Sequence, residues 1–143
     1  MKKINLFTLC LCLSALAIVF SGCKDDDDEP QVEISMENLK GNWDIVRCYG
    51  WEYANGDHTE KDYWDEEITD ESVTFDEYGN GTYFDGIYHQ YNFTYSLNGN
   101  QFIHSEEWLF DKEATITKLT KDELNIQAID EYSEENYVLR RRI

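Results

Sequence analysis

The chain predicts an all-β fold: an eight-stranded antiparallel up-and-down barrel that follows a short N-terminal helical turn. From Trp43 onward, short runs alternate apolar with polar residues, which is the period of a half-buried strand. Turn signals such as Asn55-Gly56, Gly79-Asn80-Gly81 and Asn98-Gly99 punctuate those runs. No helix of consequence interrupts them. Eight short strands with local connections close most economically on themselves, because closure removes the unpaired edges of an open sheet.

The N-terminus is a separate matter. Lys2 and Lys3 precede an apolar run from Ile4 to Phe20, the length of a secretory signal and short for a membrane span. It ends in Phe20-Ser21-Gly22-Cys23. Small residues before a cysteine resemble the bacterial lipobox, where cleavage precedes the Cys and its thiol carries a diacylglycerol. Residues 1–22 are then a lipoprotein signal peptide, and Cys23 is the lipid attachment site. Lys24-Asp25-Asp26-Asp27-Asp28-Glu29 follows at once, and charges packed this densely repel one another and stay extended. Residues 23–34 therefore form the lipidated Cys and an acidic tether. The acidic run also resembles the export signal that some Gram-negative bacteria place after a lipidated cysteine, which implies an outer-membrane anchor facing the cell exterior. The alternatives are an ordinary secretory signal whose cysteine is incidental and, for the acidic run, a plain solvated spacer on a periplasm-facing lipoprotein.

Cleavage before Cys23 removes 22 of the 143 residues and two of the twelve basic ones, leaving ten Lys and Arg against thirty Asp and Glu, a net charge of −20. Nucleic acid is excluded as a partner, since its binding rests on neutralising phosphates with Lys and Arg. Contact with a membrane must come from the lipid anchor alone. Cys10 and Cys12 leave with the signal, so Cys48 is the only thiol in the domain and no internal disulfide can form. An inert core position suits it better than a reactive one. Residues 35–143 make one domain, expected to be a monomer.

Within that domain, Ser35 to Gly41 reads as one capped turn of helix, with Ser35 as N-cap and Gly41 as the stop. The first strand is expected over residues 43–53, with Trp43, Ile45, Arg47, Tyr49, Trp51 and Tyr53 sharing the inward face. From Ala54 to Asp70 the chain reads as a long acidic loop containing Tyr63 and Trp64. Strands follow over 71–76 and 81–85. Asp76-x-Tyr78-x-Asn80-Gly81 half resembles a calcium loop but fails, having Tyr at the third position and Ile87 at the twelfth. The hairpin 89–97/100–108 around Asn98-Gly99 predicts Leu97 opposite Asn100, Tyr95 opposite Phe102, Phe93 opposite His104, Tyr91 opposite Glu106 and His89 opposite Trp108. Strands over 114–119, 124–131 and 136–143 complete the eight.

At this point the chain resembles the bacterial lipocalin-like families of the calycin superfamily. The likeness rests on Leu39-Lys40-Gly41-Asn42-Trp43, on Val73-Thr74-Phe75 with Gly79-Asn80-Gly81-Thr82-Tyr83, on Ile116-Thr117-Lys118-Leu119-Thr120 followed by Leu124, and on a terminal strand rich in Arg. The resemblance implies that Gly41 and Trp43 lie at the closed end of the barrel. It also implies that an Arg of the last strand, one of Arg140, Arg141 and Arg142, packs on the indole as a cation–π contact. These are structural roles.

The interior is where function is expected, since an eight-stranded barrel either fills itself or holds one small ligand. Tyr91, Phe93, Tyr95, Phe102, His104 and Glu106, with Trp51 and Tyr53, are the candidate lining. The expected partner is a small apolar or amphipathic molecule, neutral or cationic given the acidic exterior. The alternative is a filled barrel that recognises a surface protein or glycan through Tyr63 and Trp64 in the acidic loop. His58, His89 and His104 lack spacing that would converge on a metal. No G-x-S-x-G, H-E-x-x-H or P-loop occurs, so neither an enzyme nor a cofactor is expected.

Overall fold

The computed structural model describes residues 29–56, 58–105 and 113–143. The signal peptide, Cys23, Glu106 and Trp108 lie outside the described residues. Among the described residues there are nine strands: β1 (Gly41–Tyr53), β2 (Lys61–Glu67), β3 (Ser72–Phe75), β4 (Asn80–Phe84), β5 (Gln90–Asn98), β6 (Gln101–His104), β7 (Glu113–Leu119), β8 (Glu123–Ile129) and β9 (Ser133–Arg141). Eight of them, all but β2, form a closed antiparallel up-and-down barrel that β9 seals by pairing with β1. One helical turn, α1 (Met36–Leu39), precedes it, with the Ser35 hydroxyl accepting from Asn38 N.

The ninth strand is a correction to the sequence reading, which placed an irregular loop over residues 54–70. Lys61 to Glu67 pairs with the second half of β1, Tyr53 opposite Lys61 through Arg47 opposite Glu67. The first half of β1 pairs on the same edge with β3, Gly41 opposite Phe75 through Asp44 opposite Ser72. Along its other edge β1 pairs with β9 almost from end to end. One long strand therefore organises the barrel and carries an extra ribbon at its far end.

A second correction concerns the faces of β1. Its ladder with β9 carries an irregularity between Ile45 and Arg47, and an extra residue in one strand reverses the in/out alternation beyond it. Trp43 and Ile45 point in, at 0% and 4% exposure, but the next buried residue is Cys48, not Arg47. Arg47, Tyr49, Trp51 and Tyr53 consequently lie on the outer face.

The hairpin between β5 and β6 also differs in register. Its two-residue turn is Gly99-Asn100, with Gly99 at φ 62 and Asn98 opposite Gln101. Positive φ at the first central residue alone is the type II′ pattern, which suits Gly-Asn as well as the type I′ turn suits Asn-Gly. Leu97 thus opposes Phe102 and Tyr95 opposes His104. The slip is by two positions, so every side chain keeps its face and Phe93, Tyr95 and Phe102 still point in.

Packing inside is dense toward α1. Phe75 stands at the centre of an aromatic cluster, edge-on to Phe93, Tyr95 and Phe102 at centroid distances of 6.1, 5.1 and 5.7 Å. Ile116, Leu119, Leu124, Ile126 and Leu139 complete the core at 1% exposure or less. The Tyr95 hydroxyl bonds the Asp76 carbonyl. The Asp76 carboxylate accepts from Tyr78 N, Asn80 N and Asn80 Nδ2. Here the half-resemblance to a calcium loop is a turn built around one aspartate.

The closed end is held by Trp43 and Arg141. The Arg141 guanidinium sits 4.1 Å from the indole centroid and donates to the carbonyls of Asn38, Lys40 and Lys121 at 2.6–2.7 Å. Trp43 Nε1 donates to the Leu39 carbonyl at 2.8 Å. Of the three terminal arginines, the structure thus selects Arg141. Arg140 is exposed, and Arg142 pairs with the Asp44 carboxylate. Gly41 has φ 135, and a Cβ there would stand 2.6 Å from Arg141 Nη1, so this glycine lets the guanidinium reach the helix end.

Replacing Arg141 by Ala should lower stability by about 2–4 kcal/mol, because one cation–π contact is lost and three carbonyls lose their donor. Arg140→Ala should stay within roughly 0.5 kcal/mol, as for other exposed positions. The midpoints of urea unfolding compare the two.

Candidate functional site

The open end of the barrel carries the end of β1 and the turns between β4 and β5 and between β8 and β9. On its inner side, the reversed alternation of β1 presents Cys48 and Gly50. Cys48 stands opposite Glu66 on one flank and Tyr137 on the other, and Gly50 stands opposite Trp64 and Glu135. All of these but Gly50 line, with Ile45, Ile68 and Glu71, a cavity of about 360 Å³. Its floor is apolar, its wall is the half-buried Trp64 indole, and three carboxylates stand around it.

The polar groups are ordered by their neighbours. The Tyr137 hydroxyl donates to Glu135 at 2.6 Å, and the Tyr83 hydroxyl donates to Glu71 at 2.6 Å. Burial, then the bond to Glu135, pushes the Tyr137 phenol well above its ordinary range. Burial and the bond to Glu71 do the same to Tyr83. The Cys48 thiol is pushed up from 9.0 to about 12, chiefly by burial. Such a thiol is protonated at neutral pH and is a packing group, not a nucleophile. The arrangement can hold an apolar body against Ile45, Ile68 and Trp64 and receive hydrogen-bond donors or a positive group at the carboxylates.

The residues named from sequence are dispersed by the fold. Phe93, Tyr95 and Phe102 are core, exposed by 2–5% and packed on Phe75. His104 is half-buried beside Phe102 at 5.8 Å between ring centroids. Tyr91 is 39% exposed and stacks on Tyr83 at the rim. Trp51 and Tyr53 leave the interior altogether, for the reason given by the irregularity in β1. Tyr63 and Trp64, adjacent in sequence, are parted by the strand: Tyr63 is 75% exposed on the outer face, and Trp64 turns toward the cavity.

Glu66, Ile68, Glu71, Glu135 and Tyr137 were not picked out by sequence, and Cys48 was expected only as an inert core thiol, which its burial fits. A signal for Tyr137 existed, since Tyr137, Leu139 and Arg141 alternate along β9 on the face that packs on Trp43. Among the described residues, no group of three or more His, Cys, Asp or Glu is placed to hold a metal ion. Compared with known proteins, the chain matches no family model and none of the curated proteins.

Burial also sets a pH limit. Cys48 and Tyr95, raised to about 12 from 9.0 and 10.0, and Tyr83 and Tyr137, raised further, are all favoured in their neutral forms by the fold. Each contributes its full stability below its unfolded value and loses it as pH rises toward its folded one. The urea midpoint should therefore fall from about pH 9 upward, less steeply in Tyr137→Phe. At pH 8 the Cys48 thiol should react with an aromatic disulfide on the order of a thousandfold more slowly than in unfolded chain, a ratio read from absorbance with and without denaturant.

Proposed function

We propose that this chain is an outer-membrane lipoprotein, anchored through Cys23 and exposed at the cell surface, whose lipocalin-like barrel binds a small amphipathic molecule at its mouth. The cavity walled by Trp64 carries this reading: mouths of barrels are recurrent ligand sites, and a largely apolar lining with a few convergent polar groups is their usual chemistry. Glu66, Glu71 and Glu135 favour a neutral or cationic ligand over an anion, as does the excess of acidic side chains.

The way the tether joins the barrel fits this reading. Val32 N bonds the Leu119 carbonyl at 2.8 Å, and the buried Thr120 hydroxyl donates to the Glu29 carboxylate at 2.9 Å. Both contacts are at the closed end. A chain anchored upstream of Glu29 therefore presents the mouth away from the lipid.

The neutral dye N-phenyl-1-naphthylamine tests the site by its fluorescence gain. Trp64→Ala should weaken its binding about tenfold, the effect of removing one well-packed aromatic anchor, about 1.4 kcal/mol. Ile68→Trp, which fills the cavity from its edge, should abolish it. The anionic analogue 1-anilinonaphthalene-8-sulfonate should bind more weakly than the neutral dye, and Glu66→Gln should narrow that gap. Equal binding by wild type, Trp64→Ala and Ile68→Trp would sink the assignment.

A further inference from the structure

A second concavity lies on the outside of the open end, where residues 54–56 and His58 meet the turn between β8 and β9. It measures about 400 Å³, and Glu52, Tyr53, Asn55, His58, Tyr132 and Ser133 line it. His58 is its centre. The imidazole stacks on Tyr53 at 5.0 Å and 22°, and meets Tyr132 edge-on at 4.7 Å. Its backbone has φ 57, the only positive φ at a non-glycine among the described residues. A glycine would make that turn without strain, so the position holds an imidazole between two tyrosines at a backbone cost. Strain of this kind clusters at binding sites.

The lining decides the ligand class. Apart from Ala54, it has no aliphatic side chain, which argues against a lipid or an apolar drug-like molecule. Tyr53 and His58 stack and Tyr132 meets the imidazole edge-on, so the rings do not converge on one point and form no cage for a cation. The cation position nearby is already filled, because Lys61 Nζ lies 3.3 Å from the Trp51 centroid and 5.9 Å from that of Tyr53. Glu52 on the lining and the net charge of −18 disfavour an anion. What remains is a ligand with apolar C–H faces and uncharged hydroxyls: a sugar ring.

We propose that this cleft binds a neutral glycan. A pyranose face packs against the Tyr53–His58–Tyr132 rings, and Glu52, Asn55 and Ser133 exchange hydrogen bonds with its hydroxyls. The surface continues along the outer face of β1 and β2. There Trp51 meets Tyr53 at 5.4 Å, its Nε1 held by Glu134 at 3.1 Å, and Tyr63 stands exposed opposite it. Further sugar units of a chain have aromatic surface to follow. This site is separate from the mouth and does not depend on what the mouth binds.

The test is native electrophoresis of the full chain, solubilised in a detergent without a sugar headgroup, through gels containing soluble glucan, mannan, xylan or galactan, with heparin as the anionic control. At least one neutral polysaccharide should retard the wild type. His58→Gly, which relieves the backbone while deleting the ring, and Tyr132→Ala should each weaken retardation tenfold or more with the circular dichroism spectrum and unfolding cooperativity unchanged. Trp64→Ala should leave it as it is. The proposal is overturned by no retardation in any neutral polysaccharide, by retardation in heparin alone, by His58→Gly and Tyr132→Ala both behaving as wild type, or by loss of retardation in Trp64→Ala, which would put the sugar in the mouth.

Discussion

The irregularity in β1 between Ile45 and Arg47 sets the character of both halves of the molecule. Before it, the strand turns Trp43 and Ile45 inward to close the barrel on Arg141 and Leu139. Beyond it, the alternation is reversed. An uninterrupted strand would drive Arg47, Tyr49, Trp51 and Tyr53 into the interior, burying a guanidinium and three large rings where β9 already supplies Tyr137 and Glu135. Burying that charge without a partner is costly. The reversal puts the small Cys48 and Gly50 inside and leaves space at the mouth, while the rings it expels become the outer aromatic surface. The Arg47 guanidinium finds Asp65 through two hydrogen bonds of 2.8 and 2.6 Å instead.

The two ends of the barrel are consequently different materials. At the closed end, polar groups tie separate segments together: Arg141 donates to three carbonyls, Trp43 to a fourth, and Thr120 holds the incoming chain. Around them lie Leu39, Leu119 and Leu124, each fully buried. At the open end, apolar side chains stand beside carboxylates, and the loops display Ile87, Tyr88 and Tyr132 to solvent. Rigid packing at one end and accessible chemistry at the other is the usual division between scaffold and site.

The closed half was legible in the sequence because its signals are local and redundant. Gly41-Asn42-Trp43, the alternation of Leu124, Ile126 and Ala128, and the Asn98-Gly99 turn each point to one strand or one hairpin. The turn could be misplaced within the hairpin without moving a side chain to the wrong face, since the apolar pattern of Phe93, Tyr95 and Phe102 fixes that independently. The mouth was not legible. Nothing in Trp43-Asp44-Ile45-Val46-Arg47-Cys48 announces an extra residue, because the misfit lies in the pairing with β9, a segment some ninety residues away in sequence. Every inference about Trp51 and Tyr53 inherited that error. The Arg141 choice had the same origin: three consecutive arginines are equivalent until the register of β9 against β1 places one of them over the indole.

The strand that sequence failed to reveal is hidden by the property that makes it tolerable. Lys61-Asp62-Tyr63-Trp64-Asp65-Glu66-Glu67 carries charge on both faces, so it has neither the alternation of a half-buried strand nor the apolar run of a buried one. Its edge away from β1 has no strand partner among the described residues, and an apolar ribbon in that place would recruit the edge of another molecule. Charged side chains along an edge strand are the common defence against such pairing. With the edge left open, both faces of β2 stay accessible. Trp64 can wall the inner cavity and Tyr63 can extend the outer surface, one residue apart. The acidity that reads as a solvated loop is, on this strand, the condition for an exposed two-faced ribbon to exist beside the barrel.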